Sequence, residues 1–241
     1  MSVILQIKPG NTENQTYTNG YGIPFTQLLN QEIEDPGQLY NLIYAQKGDY
    51  IYYESHYLNK VYFVKEGFIK IGYFDSNGNE IVKEILQRGE IFGQFTLDNK
   101  NLNGEFAKAH KADASVCAFN IESFQTLLNN NNKLAVAYGK QVGNKLRKVE
   151  NRLLNVLNSN VKTRLLHFIT ELIYSNPNCI QANSFRMNNF LTHDDIARLI
   201  GSSRQTVTMS IKELEIKKYL KISRRQIQID NIKAIEKAAS K

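Results

Sequence analysis

Residues 192–212 contain polar and basic side chains of the types that contact DNA. Arg204 can donate two hydrogen bonds to a guanine, and Gln205 can pair in the same two-point way with an adenine. Hydroxyl and ammonium groups suit the phosphate oxygens of the DNA backbone instead. The candidates of this second type are Thr192, Ser202, Ser203, Thr206, Thr208 and Lys212. We therefore expect this stretch to contact double-stranded DNA.

Two short helical patterns that meet at a glycine would position these side chains. Thr192 followed by Asp195 has the spacing of a capping box and predicts that a first helix begins there. Gly201, which is free to adopt positive φ, predicts where this helix ends. The apolar face of the helix consists of Ile196, Ala197 and Ile200.

A second helix is predicted to begin with Ser202, which has capping-box spacing to Gln205. Val207, Ile211 and Leu214 fall at i, i+4 and i+7 and predict one buried stripe. Helix, glycine turn and helix form the helix-turn-helix signature, in which the start of the second helix contacts base edges. The pattern also fits a solvated helix hairpin in an ordinary domain.

The excess of positive charge lies entirely on the segment with this motif. Residues 160–241 hold 14 Lys and Arg against 7 Asp and Glu, whereas residues 1–159 hold 16 of each, which together account for the chain's 30 and 23. Phosphate binding with release of counterions requires such a basic segment. An anionic membrane would also attract it, but the segment has no strongly amphipathic basic helix with large apolar anchors.

The rest of the C-terminal segment predicts a winged domain. Residues 220–222 and Gln226–Ile229 alternate around Ser223, Arg224 and Arg225, a pattern typical of a two-stranded wing. Arg224 and Arg225 would add phosphate contacts at its tip. The other predicted elements are a helix over residues 162–174, a polar loop over 175–184, a strand over Ser184–Asn188 and a basic tail helix over 233–241.

Residues 39–119 have the pattern of an all-β domain. Asn77 and Gly78 between two alternating runs are a strong hairpin signal. Short runs rich in β-branched and aromatic residues recur at the spacing of an antiparallel sandwich or barrel of jelly-roll type. The predicted strands are residues 42–44, Tyr50–Tyr53, 61–65, 68–74, 80–86 and 114–119.

A long helical pattern over residues 124–158 links the two regions. Apolar residues repeat along it in steps of four and three, which is the heptad pattern of helices that pack side by side. The residues predicted to join two copies of the chain in a homodimer are Val142, Leu146, Val149 and Leu153. The alternative is that this helix lies on the core of its own domain.

Length and composition favour an α+β protein of two domains. The 241 residues, 42% of them hydrophobic, suffice for two cores. We place an antiparallel jelly-roll or β-roll domain at residues 1–122, a long dimerisation helix at 123–158 and a winged helix-turn-helix domain at 159–241, with a hinge at 158–160. No apolar run reaches ~18 residues and the N-terminus lacks a signal-peptide pattern, so we expect no membrane partner and a cytoplasmic location.

Three motifs in this order resemble the Crp/Fnr family of bacterial transcription regulators. Residues 62–67 with 69–71 are similar to the family's central β-roll motif, and residues 89–93 are similar to the start of its phosphate-binding cassette. Residues 196–207 match its helix-turn-helix signature. The resemblance implies a homodimer that binds two-fold symmetric DNA, with RNA polymerase as a further partner of an activator.

The resemblance also assigns roles within the second helix of the motif. Arg204 falls where the family has its signature base-reading arginine. Gln205 stands where many members have a glutamate, and Met209 stands where many have a second arginine. Because glutamate accepts from cytosine whereas glutamine pairs best with adenine, we expect a DNA site different from the commonest family palindrome.

The effector cassette departs from the family pattern. Gly89, Glu90 and Gly93 match its start, but cyclic-nucleotide-binding members complete it with an Arg-Ser or Arg-Thr pair that holds the cyclic phosphate. Residues 103–107 supply no arginine or hydroxyl, and Glu105 adds a negative charge. A buried phosphate without its partner is strongly disfavoured. We therefore expect no control by cyclic AMP, with Gly89 and Glu90 retained for the turn and the fold.

Other family cofactors lack their ligands in this sequence, and we predict no cofactor and no metal. Cys117 and Cys179 are too few for an iron-sulfur cluster and are typical of small packing residues. The histidines, which a haem would need as axial ligands, are scattered at His56, His110, His167 and His193.

Two other classes of function stay open. One is a regulator whose DNA binding requires a cyclic nucleotide or another small molecule in the β-roll. The other is an enzyme with a jelly-roll catalytic domain, such as a cupin-like oxygenase. Such an enzyme needs His and carboxylate ligands on adjacent strands, and His56 and His110 lack the usual spacing.

Overall fold

The structure is a computed structural model that describes Leu29 and residues 40–53, 59–95, 97 and 104–239. It has an N-terminal β-roll, a long helix and a C-terminal winged helix-turn-helix domain, which confirms the predicted α+β fold. His56, Asn103 and nearly all of the first 39 residues lie outside the described part of the chain. Among the described helices, none is long and apolar enough to span a membrane.

The described part of the roll forms eight antiparallel strands in two sheets, with the orders β1-β8-β3-β6 and β2-β7-β4-β5. The strands are β1 (Asn41–Ala45), β2 (Tyr50–Tyr53), β3 (Lys60–Glu66), β4 (Ile69–Phe74), β5 (Glu80–Leu86), β6 (Ile91–Gly93), β7 (Glu105–Ala109) and β8 (Ala114–Asn120). Alternate residues face inward between the sheets, where Ile69, Ile71 and Leu86 are buried. This pairing confirms the predicted antiparallel β-roll.

All six strands predicted from the sequence are present, and residues 75–79 form the expected turn between β4 and β5. Two strands, β6 and β7, were not indicated by the sequence pattern. β6 is only three residues long, and β7 contains Glu, Lys and two Ala, which are depleted in strands. β7 is extended because it pairs on both sides, with β2 and with β4.

The sequence predicts one continuous helix after the roll, but the structure has two, α1 (Ile121–Asn130) and α2 (Asn132–Asn158). Asn131 separates them in an extended conformation, and its side chain accepts the N–H of Leu134 at 2.9 Å. An asparagine that bonds to the nearby backbone in this way favours a cap over a helix interior. Phe124, Leu134 and Tyr138 pack this part of the chain onto the roll.

The C-terminal domain has the helix and wing order that the sequence predicts. Its elements are α3 (Val161–Ser175), β9 (Ile180–Gln181), β10 (Ser184–Asn188), α4 (His193–Ile200), α5 (Arg204–Ile216), β11 (Lys221–Ile222), β12 (Gln226–Ile229) and α6 (Ile232–Ala239). The strands form one sheet in the order β11-β12-β10-β9. The predicted polar loop over residues 175–184 is therefore wrong in part: it contains a 3-10 turn, Pro177–Cys179, and β9, which pairs with β10.

The two domains are joined by Ser159 and Asn160, at the position of the predicted hinge, and they also pack directly against each other. Phe68 of the roll stacks on Phe190 with 4.4 Å between ring centroids. Val82 and Ile85 of β5 belong to the same apolar core as the C-terminal domain. The outer face of β4 and β5 therefore holds this domain against the roll.

A buried polar cluster crosses the same interface. Asp195 of α4 is 1% exposed, and its carboxylate lies 2.8 Å from Lys70 Nζ and 3.3 Å from His110 Nε2. Burial by itself raises the pKa of Asp195, but hydrogen bonds from His110, Lys70 and Thr192 outweigh it and hold the pKa well below its usual range. The carboxylate is therefore charged and ties the start of α4 to the roll.

Candidate nucleic-acid interface

The first helix of the motif, α4, begins with the predicted capping box. Thr192 Oγ1 accepts the N–H of Asp195 at 3.0 Å, and Asp195 Oδ2 accepts the N–H of Thr192 at 2.9 Å. At the other end Gly201 has φ of 65°, and the N–H of Ser202 donates to the carbonyl of Ala197 at 2.8 Å. This termination needs a left-handed residue, so the predicted role of Gly201 is confirmed.

The second helix, α5, begins one residue later than predicted. Its N-cap is Ser203, whose Oγ accepts the N–H of Thr206 at 3.1 Å. The predicted capping box between Ser202 and Gln205 is wrong, because the N–H of Ser202 closes the end of α4 instead. Arg204 is therefore the first residue of α5, at the end where recognition helices contact bases.

α5 has an open polar face opposite its buried stripe. Val207, Ile211 and Leu214 are at most 1% exposed and anchor the helix, as predicted. The exposed residues of the opposite face are Ser203, Arg204, Gln205, Thr206, Met209 and Lys212. Within the described part of the chain, the Arg, Gln and Lys side chains of this face make no hydrogen bond or salt bridge. Their donors are thus available to a bound molecule.

Four of the predicted phosphate-binding hydroxyls are engaged within the motif. Thr192 Oγ1 donates to Asp195 Oδ2 at 2.7 Å, and Thr208 Oγ1 donates to the carbonyl four residues earlier at 2.8 Å. The hydroxyl oxygens of Thr206 and Ser203 lie 2.8 Å apart. These bonds order the two helix N-termini, whose free backbone N–H groups themselves suit an anion.

Two arginines outside the motif hold the end of α4, and the sequence pattern missed both. Arg164 of α3 donates to the carbonyls of Ile200 at 2.9 Å and Gly201 at 3.0 Å. Arg152 of α2 donates to the carbonyl of Arg198 at 3.2 Å and to a carbonyl of β5 at 2.7 Å. Cations stabilise the C-terminal end of a helix. Because the two arginines lie 36 to 46 residues before the carbonyls that they bind at the end of α4, no local signal indicates this contact.

The wing is a short hairpin with two exposed arginines at its tip. Ser223 Oγ accepts the N–H groups of Arg225 at 3.3 Å and Gln226 at 3.0 Å, and the side chain of Asn189 donates to the carbonyl of Ser223. Arg224 and Arg225 are exposed, and among the described residues their guanidinium groups have no partner. The wing therefore adds two free cations to the domain that carries the motif.

Among the described residues, no hydrogen bond or ion pair joins the predicted effector-pocket residues Gly89, Glu90 and Gly93 to Glu105. Gly89 and Gly93 have φ of 88° and 92°, and a Cβ on Gly93 would lie 2.6 Å from a carbonyl of β3. Both glycines are thus explained by the backbone itself. Glu90 accepts the N–H of Gln87 at 2.8 Å and lies 3.4 Å from Lys148 of α2, so within the described part of the chain it shares no partner with Glu105.

Glu105 is buried in the roll and held by three donors. Its side chain is 2% exposed, and it accepts from Tyr52 Oη at 2.7 Å, Lys83 Nζ at 2.8 Å and Tyr73 Oη at 3.3 Å. Burial and the carboxylate together raise the pKa of Tyr52, which keeps its hydroxyl protonated. Burial alone would lower the pKa of Lys83, but Glu105 outweighs it and the pKa is raised. The roll therefore contains a buried carboxylate that three side chains of the roll itself hold, and Glu105 with Tyr52, Tyr73 and Lys83 is called the Glu105 cradle below.

The predicted dimerisation seam is exposed only in the second half of α2. Leu146, Val149 and Leu153 are 58–59% exposed, and Val156 extends the stripe. Val142 instead packs, partly buried, against the core of the roll. The first half of α2 thus lies on the core of its own domain, as the alternative interpretation predicts. The exposed apolar stripe begins at Leu146.

The two cysteines and two of the described histidines, His110 and His193, pack or bond within the fold, whereas His167 borders a cavity between the domains. Cys117 and Cys179 are free, half-buried thiols, and burial raises the pKa of both. His193 Nδ1 lies 2.9 Å from Thr208 Oγ1 and links α4 to α5, and burial lowers its pKa. No group of three or more His, Cys, Asp or Glu in the described chain is arranged to hold a metal ion.

Comparison with known proteins gives a match for each domain. The model of the cyclic nucleotide-binding domain matches residues 42–131, and that of the Crp-like helix-turn-helix domain matches residues 163–238. An anaerobic regulatory protein of Bacillus subtilis is 24% identical over 178 residues, which cover 73% of this chain and 74% of that protein. A global nitrogen regulator of Nostoc sp. is 25% identical over 182 residues, which cover 74% of this chain and 80% of that protein.

Among solved structures, that of a CooA mutant from Carboxydothermus hydrogenoformans has the same fold, with a TM-score of 0.74 at 17% identity. The match covers 91% of this chain and 97% of the CooA chain. The chain belongs to the Crp/Fnr family of transcription regulators. It is a DNA-binding regulator and not an enzyme.

Proposed function

We propose that the chain acts as a homodimer that binds a palindromic DNA site in a sequence-specific way and without cyclic AMP. The observation that carries this proposal is the open N-terminal face of α5, where the Arg204 and Gln205 side chains make no hydrogen bond or salt bridge to any described residue. Arg204 contacts guanine, and Gln205 contacts adenine. The phosphate contacts come from Ser202, Lys212, Arg224 and Arg225. Thr192, Ser203, Thr206 and Thr208 join them by exchanging hydroxyl bonds within the motif for bonds to phosphate oxygens.

The exposed half of α2 supports the homodimer. Leu146, Val149, Leu153 and Val156 form an apolar stripe at heptad spacing that a second copy of the helix would bury. In such a homodimer the two-fold axis that relates the two chains also relates their α5 helices. The half-sites of the DNA then lie about one helical turn, ~34 Å, apart.

The surroundings of Glu105 support action without cyclic AMP. Its carboxylate already takes the donors of Tyr52, Tyr73 and Lys83, and its negative charge disfavours a phosphate close by. In addition, Asp195 holds the DNA-binding domain on the roll through Lys70 and His110, side chains of the chain itself. The contacts that dock the DNA-binding domain on the roll are therefore made by side chains of the chain itself.

The proposal includes the location and the further partner of the protein. Binding to chromosomal DNA places it in the cytoplasm of a bacterial cell. If the regulator activates transcription, RNA polymerase is the protein that it contacts.

The experiment that tests the proposal is selection of DNA from a random library by the purified full chain, without added ligand and at near-physiological salt. Enrichment of one two-fold symmetric site would support a specific dimeric binder that needs no effector. Weak retention of all sequences would contradict it. Recovery of specific binding only after cyclic AMP or cyclic GMP is added would favour the ligand-dependent regulator instead.

A further inference from the structure

A cavity of about 550 Å³ lies where the roll, α2 and the C-terminal domain meet. β5 and the turn after it form one wall, the second half of α2 forms another, and α3 with the end of α4 forms the third. Its apolar lining includes Ile85, Phe168, Leu172, Phe190 and Leu199. This volume suits a small organic molecule. Glu105 does not line the cavity, but Lys83, one of its three donors, does, so the cavity borders the Glu105 cradle.

Positive charge exceeds negative charge around this cavity. Its lining has three Lys and two Arg against three Glu, and one of the lysines, Lys83, pairs at 2.8 Å with Glu105 outside the lining. Lys145 pairs with Glu84 at 2.7 Å, but Arg152 and Arg164 donate to main-chain carbonyls, and no described carboxylate lies within salt-bridge distance of either. Burial lowers the pKa of Arg152, which nearby carboxylates offset only in part. Arg152 is thus a cation that an additional anion would stabilise.

We propose that this cavity binds a small organic anion with an apolar body, of the class of an aromatic carboxylate or sulfonate. The apolar walls take the body, and Lys148 and Arg152, four residues apart on one face of α2, take the acid group. Lys148 now lies 3.4 Å from Glu90 and 3.8 Å from Glu171. These are long ion pairs, which leave its ammonium group able to turn to a ligand.

Binding at this position couples the ligand to the arrangement of the domains. Both domains supply walls, so the complete cavity exists only while the DNA-binding domain is docked on the roll. A ligand that binds only this arrangement increases its population. Val149, Leu153 and Val156 border the cavity and also belong to the proposed dimer seam, so a second copy of α2 forms part of the rim.

The test uses two dyes that differ in one charge. They are 1-anilinonaphthalene-8-sulfonate and N-phenyl-1-naphthylamine, which has the same rings without the sulfonate. Titrated into the full chain at a concentration where it is dimeric, the sulfonate should bind once per chain, with a Kd at least about tenfold lower than that of the neutral dye.

Matched variants locate the site. Lys148→Gln should weaken sulfonate binding about tenfold and leave the neutral dye unaffected. Arg152→Gln also removes the bonds to α4 and β5, so it should weaken binding of both dyes, and that of the sulfonate more. Arg147→Gln changes an exposed arginine of the same helix that does not line the cavity, and it should alter neither. Ser175→Trp places a ring into the cavity from the end of α3 and should exclude both dyes, whatever the charge variants do to domain docking.

Three results would overturn the proposal. The first is equal affinity of the protein for the two dyes. The second is that neither Lys148→Gln nor Ser175→Trp changes sulfonate binding. The third is that the sulfonate binds only to the dissociated, monomeric chain. The last result would mean that the partner's helix fills the cavity. Because dye binding is measured without DNA, failure here leaves the proposed DNA-binding function intact, and failure of the DNA selection leaves this site intact.

Discussion

At the scale of single residues, base recognition depends most on Arg204. It is exposed at the first position of α5, and no described side chain binds its guanidinium group. Arg204→Ala should weaken binding to the selected site by ~1–3 kcal/mol and relax specificity at one base pair of each half-site. Competition binding against single-base variants of the site measures both effects.

Lys212→Ala is the matched control from the same helix. As a phosphate contact, Lys212 carries no base information, so its loss should weaken binding to all sequences alike. The slope of log Kd against the logarithm of the salt concentration should also fall by about one, because one phosphate contact is lost. If Arg204→Ala bound all sequences as the parent does, the base-reading role would be wrong.

Glu105 is the second residue whose role one substitution can test. Glu105→Gln keeps the size of the side chain but removes the charge that Lys83 and Tyr52 bind. Lys83 is 41% exposed, so solvent offsets part of the loss, and we expect the free energy of unfolding to fall by ~1–3 kcal/mol. Urea denaturation measures it.

The two tyrosines around Glu105 provide an internal comparison. Tyr52→Phe removes a bond of 2.7 Å from a buried hydroxyl, whereas Tyr73→Phe removes one of 3.3 Å. The first variant should therefore be destabilised more than the second. Equal stability of Glu105→Gln and the parent would show that the carboxylate does not hold the roll together.

At the scale of elements, α2 changes its role along its length. Its first turns belong to the roll, through Leu134 and Tyr138, and its second half exposes the stripe that begins at Leu146. Leu153→Glu places a charge in the centre of this stripe and should dissociate the homodimer, because a buried unpaired carboxylate is costly. Sedimentation equilibrium gives the mass of the variant directly.

Leu154→Glu is a close control for this experiment. Leu154 is 56% exposed and Leu153 is 58% exposed, but consecutive residues of a helix point about 100° apart. Leu154→Glu should therefore remain dimeric and bind the palindrome. Dissociation by both substitutions, or by neither, would argue against the predicted seam.

At the scale of the whole molecule, the cluster around Asp195 couples the DNA-binding domain to the roll. Lys70→Met leaves the carboxylate buried without its closest cation, and breaking a buried ion pair in this way costs ~3–5 kcal/mol. We expect a less firmly docked domain and faster protease cleavage at Ser159–Asn160. Lys65→Met, an exposed lysine of β3, serves as the control, and equal cleavage rates in the two variants would contradict the coupling.

The same cluster predicts how stability depends on pH. The pKa of Asp195 is lowered in the folded chain, so its contribution is fully present above the ordinary aspartate pKa of about 4 and is lost as the pH falls below that value. Asp195→Asn removes this contribution. Its free energy of unfolding should therefore change less than that of the parent between about pH 5 and pH 3, which denaturant titrations at each pH measure.

The motif that defines the class of protein could be predicted from the sequence because its determinants are local. The determinants are the capping box of Thr192 and Asp195, the left-handed Gly201 and the stripe of Val207, Ile211 and Leu214, and each acts over at most eight residues. The error of one residue at the start of α5 has the same origin. Ser202 and Ser203 are equally good caps, and only the bond that closes α4 decides between them.

What the sequence determined by itself is thus the order of elements, the helix-turn-helix and the segregation of positive charge, since periodicity, caps and composition act along the chain. What only the tertiary structure decided are contacts between residues far apart in sequence. These are the cradle of Glu105, the hold of Arg152 and Arg164 on α4, the docking of Asp195 on Lys70 and the point at which α2 leaves the roll. Such contacts depend on how folded elements pack, and no local pattern encodes that packing.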